Sequence, residues 1–275
     1  MDEETALFDL EVQLLLEAVY RRYQHDFRDY AVTSVRRRMH QAMKHFGCED
    51  LGQLQHLLLH DGTRFRQALQ FFTVQVSEMF RDPAYFCALR EQVVPVLRTY
   101  PSLKVWVAGC SQGEEAWSLA VLLQEEALLD RTLIYATDIN PAALETAEGG
   151  IYPIERMADF SRNYRAAGGL RSLSDYYTAA YGGARFDPAL GRHMVFADHS
   201  LATDSVFSEV QFISCRNVLI YFDRPLQNRA LDLFNQSLCR RGWLGLGIKE
   251  TLRFTSQAEE FDEIRHDVKL YRRRR

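Results

Sequence analysis

One stretch of this 275-residue chain restricts its fold more than any other. Residues 104–108 (KVWVA) read as a short buried strand that runs into Gly109 and the tight loop Cys110-Ser111-Gln112-Gly113. A helix pattern starts at about Glu114, and residues 132–137 (TLIYAT) read as the next strand, with Asp138 directly after it. Gly109 and Gly113 would let backbone approach a ligand closely. In an open α/β sheet an acid at the end of the second strand binds vicinal ribose hydroxyls. Strand, glycine loop, helix, strand and acid therefore read as a nucleoside-binding half.

The kind of nucleoside follows from charge. A dinucleotide fingerprint wants G-x-G-x-x-G placed for a pyrophosphate. Here Cys110-Ser111 fills the middle of the loop, and Glu114 and Glu115 open the helix where a diphosphate needs free amides and positive charge. Acids there repel phosphate and suit a cation. S-adenosyl-L-methionine carries a sulfonium, an ammonium and a ribose but no phosphate, so a methyl donor fits better than NAD or ATP. Simple helix capping is the competing reading, because Ser111 and Glu114 have capping-box spacing.

The rest of the chain supports a mostly parallel sheet with helices on both faces. Helix patterns cover 114–129, 141–148 and 227–240; strand patterns cover 210–214 (VQFIS) and 243–247 (WLGLG). Residues 152–192 interrupt the alternation, and 176–180, 185–186 and 193–197 could form a small antiparallel piece. At the tail, 263–265 and 268–271 could pair as a hairpin.

Residues 1–75 read as a helical bundle. Leu7, Leu10, Leu14 and Leu15 recur at helical spacing, followed by Val19 and Tyr20. Further helices fit 34–45, 51–60 and 63–71. Charge here is uneven: residues 1–20 carry six acids and no base, whereas 21–44 hold a basic set that includes Arg36, Arg37 and Arg38. Such a face docks an acidic helix or nucleic acid, or is merely solvated.

Composition excludes several classes. Hydrophobic residues make up 47% and charged residues 25%, which is globular. The net charge of -4 argues against a general nucleic-acid binder. The acidic start is no signal peptide, no apolar run approaches a membrane span, and five scattered Cys without C-x-x-C read as reduced cytosolic thiols. Gly-x-Ser-x-Gly is absent, and His56 and His60 lack a third ligand, so no metal is expected.

Two segments could handle a substrate: 78–86 (EMFRDPAYF) and 214–223 (SCRNVLIYFD). The second leaves a core strand on the ligand side of the sheet, so Arg216, Asn217 and Tyr221 should face the methyl donor. An arginine there matches a carboxylate. A carboxylate is already ionised at neutral pH, so its methylation needs alignment and desolvation rather than a base. Arg81 or Arg216 would hold it, with Tyr221 steering. The plainer readings are pairing of Arg81 with Asp82, pairing of Arg216 with Asp138, and Tyr221 as a core aromatic.

These residues resemble the chemotaxis receptor methyltransferases, a family of CheR-type protein-glutamate O-methyltransferases. The resemblance rests on VSEMFRDPAYF (76–86), VWVAGCSQGEEAWSLA (105–120), IYATDINPAAL (134–144), EGGIYP (148–153), ISCRNVLIYFD (213–223) and GWLGLGIKE (242–250), in family order. It implies a helical receptor-docking domain (1–75) before a Rossmann-like S-adenosylmethionine-dependent methyltransferase domain (76–275), with 76–100 as linker and helix and 152–197 as an insertion bearing a small β subdomain. It implies a cytoplasmic enzyme that transfers methyl to glutamates of a coiled-coil chemoreceptor, leaving S-adenosylhomocysteine. Arg81, Arg216 and Tyr221 become the catalytic candidates. Arg81, Gly109, Cys110, Ser111, Gly113, Glu114, Asp138, Ile139, Ser200, Leu201 and Asn217 become the cofactor-binding set, and Arg36–Arg38 dock the receptor. Departures are Gln112 for a frequent Thr, Ser200 for a frequent Asn, and Gly-Ile-Lys-Glu at 247–250 for Gly-His-Ser-Glu. A non-catalytic donor-binding signalling module, or a methyltransferase with a non-receptor substrate, is the alternative. No nucleic acid or membrane insertion is expected, and a monomer is the default.

Overall fold

The computed structural model describes residues 3–274. Four helices come first: α1 (Glu3–Tyr23), α2 (Val32–Phe46), α3 (Leu51–His60) and α4 (Gly62–Phe72). Asp50 caps α3 through the Gln53 amide, and Asp61 caps α4 through those of Thr63 and Arg64. The α1 face differs from the expected one. Val12, Leu15, Leu16 and Val19 are buried, whereas Leu7, Leu10 and Leu14 are 57%, 52% and 55% exposed. Residues 12, 15, 16 and 19 themselves have i, i+3, i+4, i+7 spacing, and that stripe meets α2, α3 and α4 in one core.

An extended strap, 73–79, leads to α5 (Pro83–Ala88), a π turn (Leu89–Val93) and α6 (Val94–Leu97). The sheet then alternates with helices: β1 (Leu103–Ala108), α7 (Glu114–Glu125), β2 (Thr132–Asp138) and α8 (Pro141–Gly149). The insertion holds β3 (Ile151–Pro153), α9 (Met157–Ala166), β4 (Tyr177–Ala180), β5 (Gly183–Phe186) and α10 (Pro188–Gly191). The chain ends with β6 (Met194–Asp198), β7 (Val210–Cys215), α11 (Arg224–Ser237), β8 (Leu238–Leu246), β9 (Phe261–Arg265) and β10 (Leu270–Arg273).

The main sheet has the order β6-β2-β1-β7-β8-β10-β9. β6, β2, β1, β7 and β8 are parallel, and β9 and β10 form the expected antiparallel tail. Side chains alternate as a two-faced strand requires: Val105 and Val107 pack into one buried cluster, Trp106 and Ala108 into the other. Two expectations are corrected. Residues 193–197 do not join the small antiparallel sheet, whose order is β3-β5-β4; β6 pairs parallel with β2. The last helix stops at Ser237, because 238–240 already belong to β8.

Candidate cofactor and substrate cleft

The strand order reverses between β1 and β7, and their C-terminal ends open one cleft. β1 supplies the loop from Gly109 to Ser111, β2 supplies Asp138 and Ile139, and the residues after β6 supply His199, Ser200 and Leu201. The turn after β7 supplies Arg216, Asn217 and Tyr221. Gln75 of the strap, Arg81 just after it, Tyr30 just before α2 and Arg38 of α2 close the far side.

Gly109 has φ +71, and a Cβ there would meet Val218 at 2.5 Å, so only glycine fits. Gly113 serves another purpose than the expected close approach to ligand. It does not line the cleft, and a Cβ on it would strike Ala147 of α8 at 2.7 Å. The capping box does not form either: Gly113 is the N-cap of α7. Ser111 is left-handed (φ +52); its amide donates to Asp138 Oδ2 at 2.9 Å and its hydroxyl to Gln75 Oε1 at 2.7 Å.

Asp138 is 8% exposed, and its Oδ1 accepts from the Asn140 amide at 3.0 Å. Burial pushes its pKa above the ordinary carboxylate range, against the amide bonds from Ser111, Asn140 and Ile139. Cys110 and Cys215 are buried thiols whose pKa values burial pushes well up, so neither is a ready nucleophile.

Of the two acids opening α7, the cleft receives Glu115 rather than Glu114. Adjacent helical positions point about 100° apart. Glu114 turns away and accepts from Arg156 at 2.9 Å, and Arg156 also donates to the Ser77 carbonyl at 2.5 Å, which ties down the strap. Glu115 accepts from Ser214 Oγ at 2.5 Å and from Arg216 at 3.0 Å.

Arg216 is not paired with Asp138. Its second donor branch reaches Asp82 Oδ2 at 2.6 Å and the Arg81 carbonyl at 2.9 Å, and its guanidinium lies 4.2 Å from the centre of the Tyr85 ring. Burial works against its charge, but Glu115, Tyr85 and Asp82 hold its pKa up. Asp82 is thus taken by Arg216, not by Arg81. Arg81 lines the cleft with a single 3.3 Å bond to the Val76 carbonyl.

The three arginines of α2 separate. Arg36 pairs with Asp9 of α1, and Arg37 is exposed. Arg38 is not on the docking face: it is 3% exposed, bonds the Phe72 carbonyl at 2.5 Å and stacks 4.7 Å over the Tyr221 ring. Its Nε and Nη2 are buried without partners, and burial pushes its pKa down. Tyr30, Gln75 and Glu115 line the cleft and were missed as site residues, while Asp82 and Tyr85 hold Arg216 without lining it. Glu115 sits beside a chosen residue, and only the helix rotation decides which side chain faces inward.

The cleft fits a phosphate-free nucleoside cation. No basic residue lies in the 109–113 loop, the acids Asp138 and Glu115 face in, and buried His199 Nδ1 and Asn217 Oδ1 lack partners. A nucleoside cleft with acids and no base beside the glycine loop, on a sheet of this order, is the mark of the S-adenosylmethionine-dependent methyltransferases.

Comparison with known sequences narrows the class. Residues 75–269 match the family described as CheR methyltransferase, SAM binding domain, and residues 10–73 match CheR methyltransferase, all-alpha domain. The chain belongs to this family of protein-glutamate O-methyltransferases and takes S-adenosylmethionine as methyl donor. It is 54% identical over 96% of its length to 97% of a Pseudomonas putida protein provisionally named methyltransferase Cher3. A chemotaxis protein methyltransferase of Listeria monocytogenes is 32% identical over 71% of this chain and 72% of its own. That of Salmonella typhimurium is 26% identical over 95% and 90%.

Proposed function

We propose that the substrate is an acidic coiled-coil segment of a chemoreceptor, and that its glutamate carboxylate is received by Arg81 and Arg38 beside Tyr221. The observation that carries this is the state of the cations. Arg216 already pairs with two carboxylates, Glu115 and Asp82, and only its Nε lacks a partner, whereas Arg81 and Arg38 line the same cleft bonded only to backbone carbonyls. A buried cation without a carboxylate is costly, and an arriving anion relieves it. Arg216 then acts as scaffold, fixing the 81–82 turn against the β7 end.

Asp138 would hold the ribose of the methyl donor, with Gly109, Cys110, Ser111, Ile139, Ser200, Leu201 and Asn217 around it. Glu115, in place of Glu114, offers the carboxylate for its ammonium. The donor supplies an electrophilic methyl on a sulfonium. The attacking carboxylate needs no base, so the residues align it and exclude water. Residues 1–75 serve as the docking domain, with Arg37 outside the cleft, and 76–275 as the transferase. The setting is cytoplasmic. Supporting this are five free thiols and the fact that, among the described residues, no helix is long and apolar enough to cross a membrane.

The test incubates the full chain with tritiated S-adenosylmethionine and soluble cytoplasmic fragments of chemoreceptors. Label released as methanol by base is the expected result. Binding of S-adenosylhomocysteine without any base-labile label on the fragments would replace this reading by a donor-binding module or another substrate.

A further inference from the structure

We infer that Glu250 is the positioning residue of the loop that presents Asn217 and Tyr221. Glu250 lies in the connection after β8, well away from α7 and the glycine loop in sequence, and is 4% exposed. Its Oε2 accepts from the Gly247 amide at 2.6 Å and from the Asn217 amide at 3.0 Å. Its Oε1 faces the Ile220 amide at 3.3 Å. No cation pairs with it among the described residues; backbone dipoles alone meet its charge.

Those amides belong to a strained turn. Asn217 is left-handed, with φ +60, a conformation a non-glycine residue holds only with support. After it, Val218 packs over Gly109, and a single 3-10 turn, Leu219–Tyr221, carries the tyrosine. The first amides of such a turn have no partner inside it. One carboxylate from the neighbouring strand end gathers them, as an anion fills a nest of N–H groups. The same carboxylate holds Gly247, whose missing Cβ would meet the Asn217 amide at 2.8 Å. Glu250 thus locks the ends of β7 and β8 together and sets where the Tyr221 ring stands. It does not line the cleft; it acts through Tyr221. This rests on the reading of Tyr221 as a substrate-side group.

The variant is Glu250→Gln, which keeps the shape but turns an amide NH2 against at least one of the three N–H donors. It is compared with Tyr221→Phe and with the double variant. Calorimetric S-adenosylhomocysteine binding should weaken by no more than about tenfold, through Asn217, while kcat on the receptor fragments falls further, about 30-fold or more at unchanged KM, as a misplacement near 1 Å would cause. The double variant should be no slower than the slower single one, because the two act as a unit. Losses that multiply, or a kcat equal to wild type, overturn the inference. If Glu250→Gln does not fold, Glu250→Asp, which retracts the carboxylate by one methylene, must show the same split with a smaller loss. If the wild type binds S-adenosylhomocysteine but methylates no fragment, the proposed function fails separately. The positioning role is then read from the amide proton resonances of Gly247 and Asn217. They should lie downfield in wild type and move upfield in Glu250→Gln; unmoved resonances overturn it.

Discussion

Arg38 carries a charge at 3% exposure with two guanidinium nitrogens unpartnered, so it weakens the fold it sits in. An uncompensated buried charge is costly, and even buried ion pairs are often replaced by apolar chains with a gain in stability. Arg38→Met should therefore raise stability by about 1–2 kcal/mol, seen as a melting rise of about 2–4 °C, while methyl transfer falls ~10-fold or more. A loss of both stability and activity would mark Arg38 as structural. Asp138 gives a pH prediction. Burial raises its pKa, and ribose hydroxyls donating to it favour the ionised form, so protons and donor compete. S-adenosylhomocysteine affinity should be full above the raised value and fall as pH drops through it, at a higher pH than the ordinary 3.8 implies. Asp198, whose pKa is also raised by burial, is the nearby acid to control for. Asp138→Asn should bind about tenfold or more weakly and lose that pH dependence, since one charge-assisted pair of hydrogen bonds is gone. On folding the sign reverses: this carboxyl's contribution is present below 3.8 and is lost as pH rises through the raised value. Asp138 was legible because one strand and one loop fix it locally. That Glu115 rather than Glu114 lines the cleft was not, because it depends on how α7 is rotated against the sheet.

At the scale of elements, periodicity located every helix of the N-terminal bundle but misjudged one face. α1 has apolar residues on more than one side, and two overlapping stripes both satisfy helical spacing. Only the partners decide, and α2, α3 and α4 take the stripe of Val12, Leu15, Leu16 and Val19. Adjacent leucines therefore make a clean pair. Leu15→Ala, from a fully buried site, should cost about 2–5 kcal/mol in urea unfolding, and Leu14→Ala, at 55% exposure, about 0.5 kcal/mol or less. Equal costs would mean that Leu14 is covered in solution. The missed end of α11 has a similar cause. Leu238 continues the apolar spacing of the helix, yet it pairs with Val210 in the sheet, where a neighbouring strand competes for the same backbone. β6 was misassigned because a strand pattern carries no information about its partner; here that partner is β2.

The whole molecule brings together what no single motif contains, since the cleft has one wall from each domain. The Ala31 amide at the start of α2 donates to the Tyr221 carbonyl at 2.9 Å, Asp223 donates to the Asp29 carbonyl at 2.9 Å, and Tyr30 bridges Phe222. The helical domain is therefore fastened to the very turn that carries Tyr221, and Arg38 reaches the cleft through that junction. Contacts between residues nearly two hundred positions apart leave no trace in spacing, which is why the sequence led to a surface docking face for all three arginines. Ala31→Pro tests the fastening alone. Ala31 has φ -55, which proline adopts, and Tyr30 is extended in its bridge, so neither residue is strained by the ring. The substitution removes one donor and leaves the Tyr221 carbonyl short of a partner, a loss of about 1 kcal/mol. Both domains should keep their circular dichroism, while transfer to receptor fragments falls about fivefold and the melting transition broadens as the domains uncouple. Unchanged transfer would mean that the helical domain lies beside the active site without shaping it, and the assignment of Arg38 to the substrate carboxylate would fall with it.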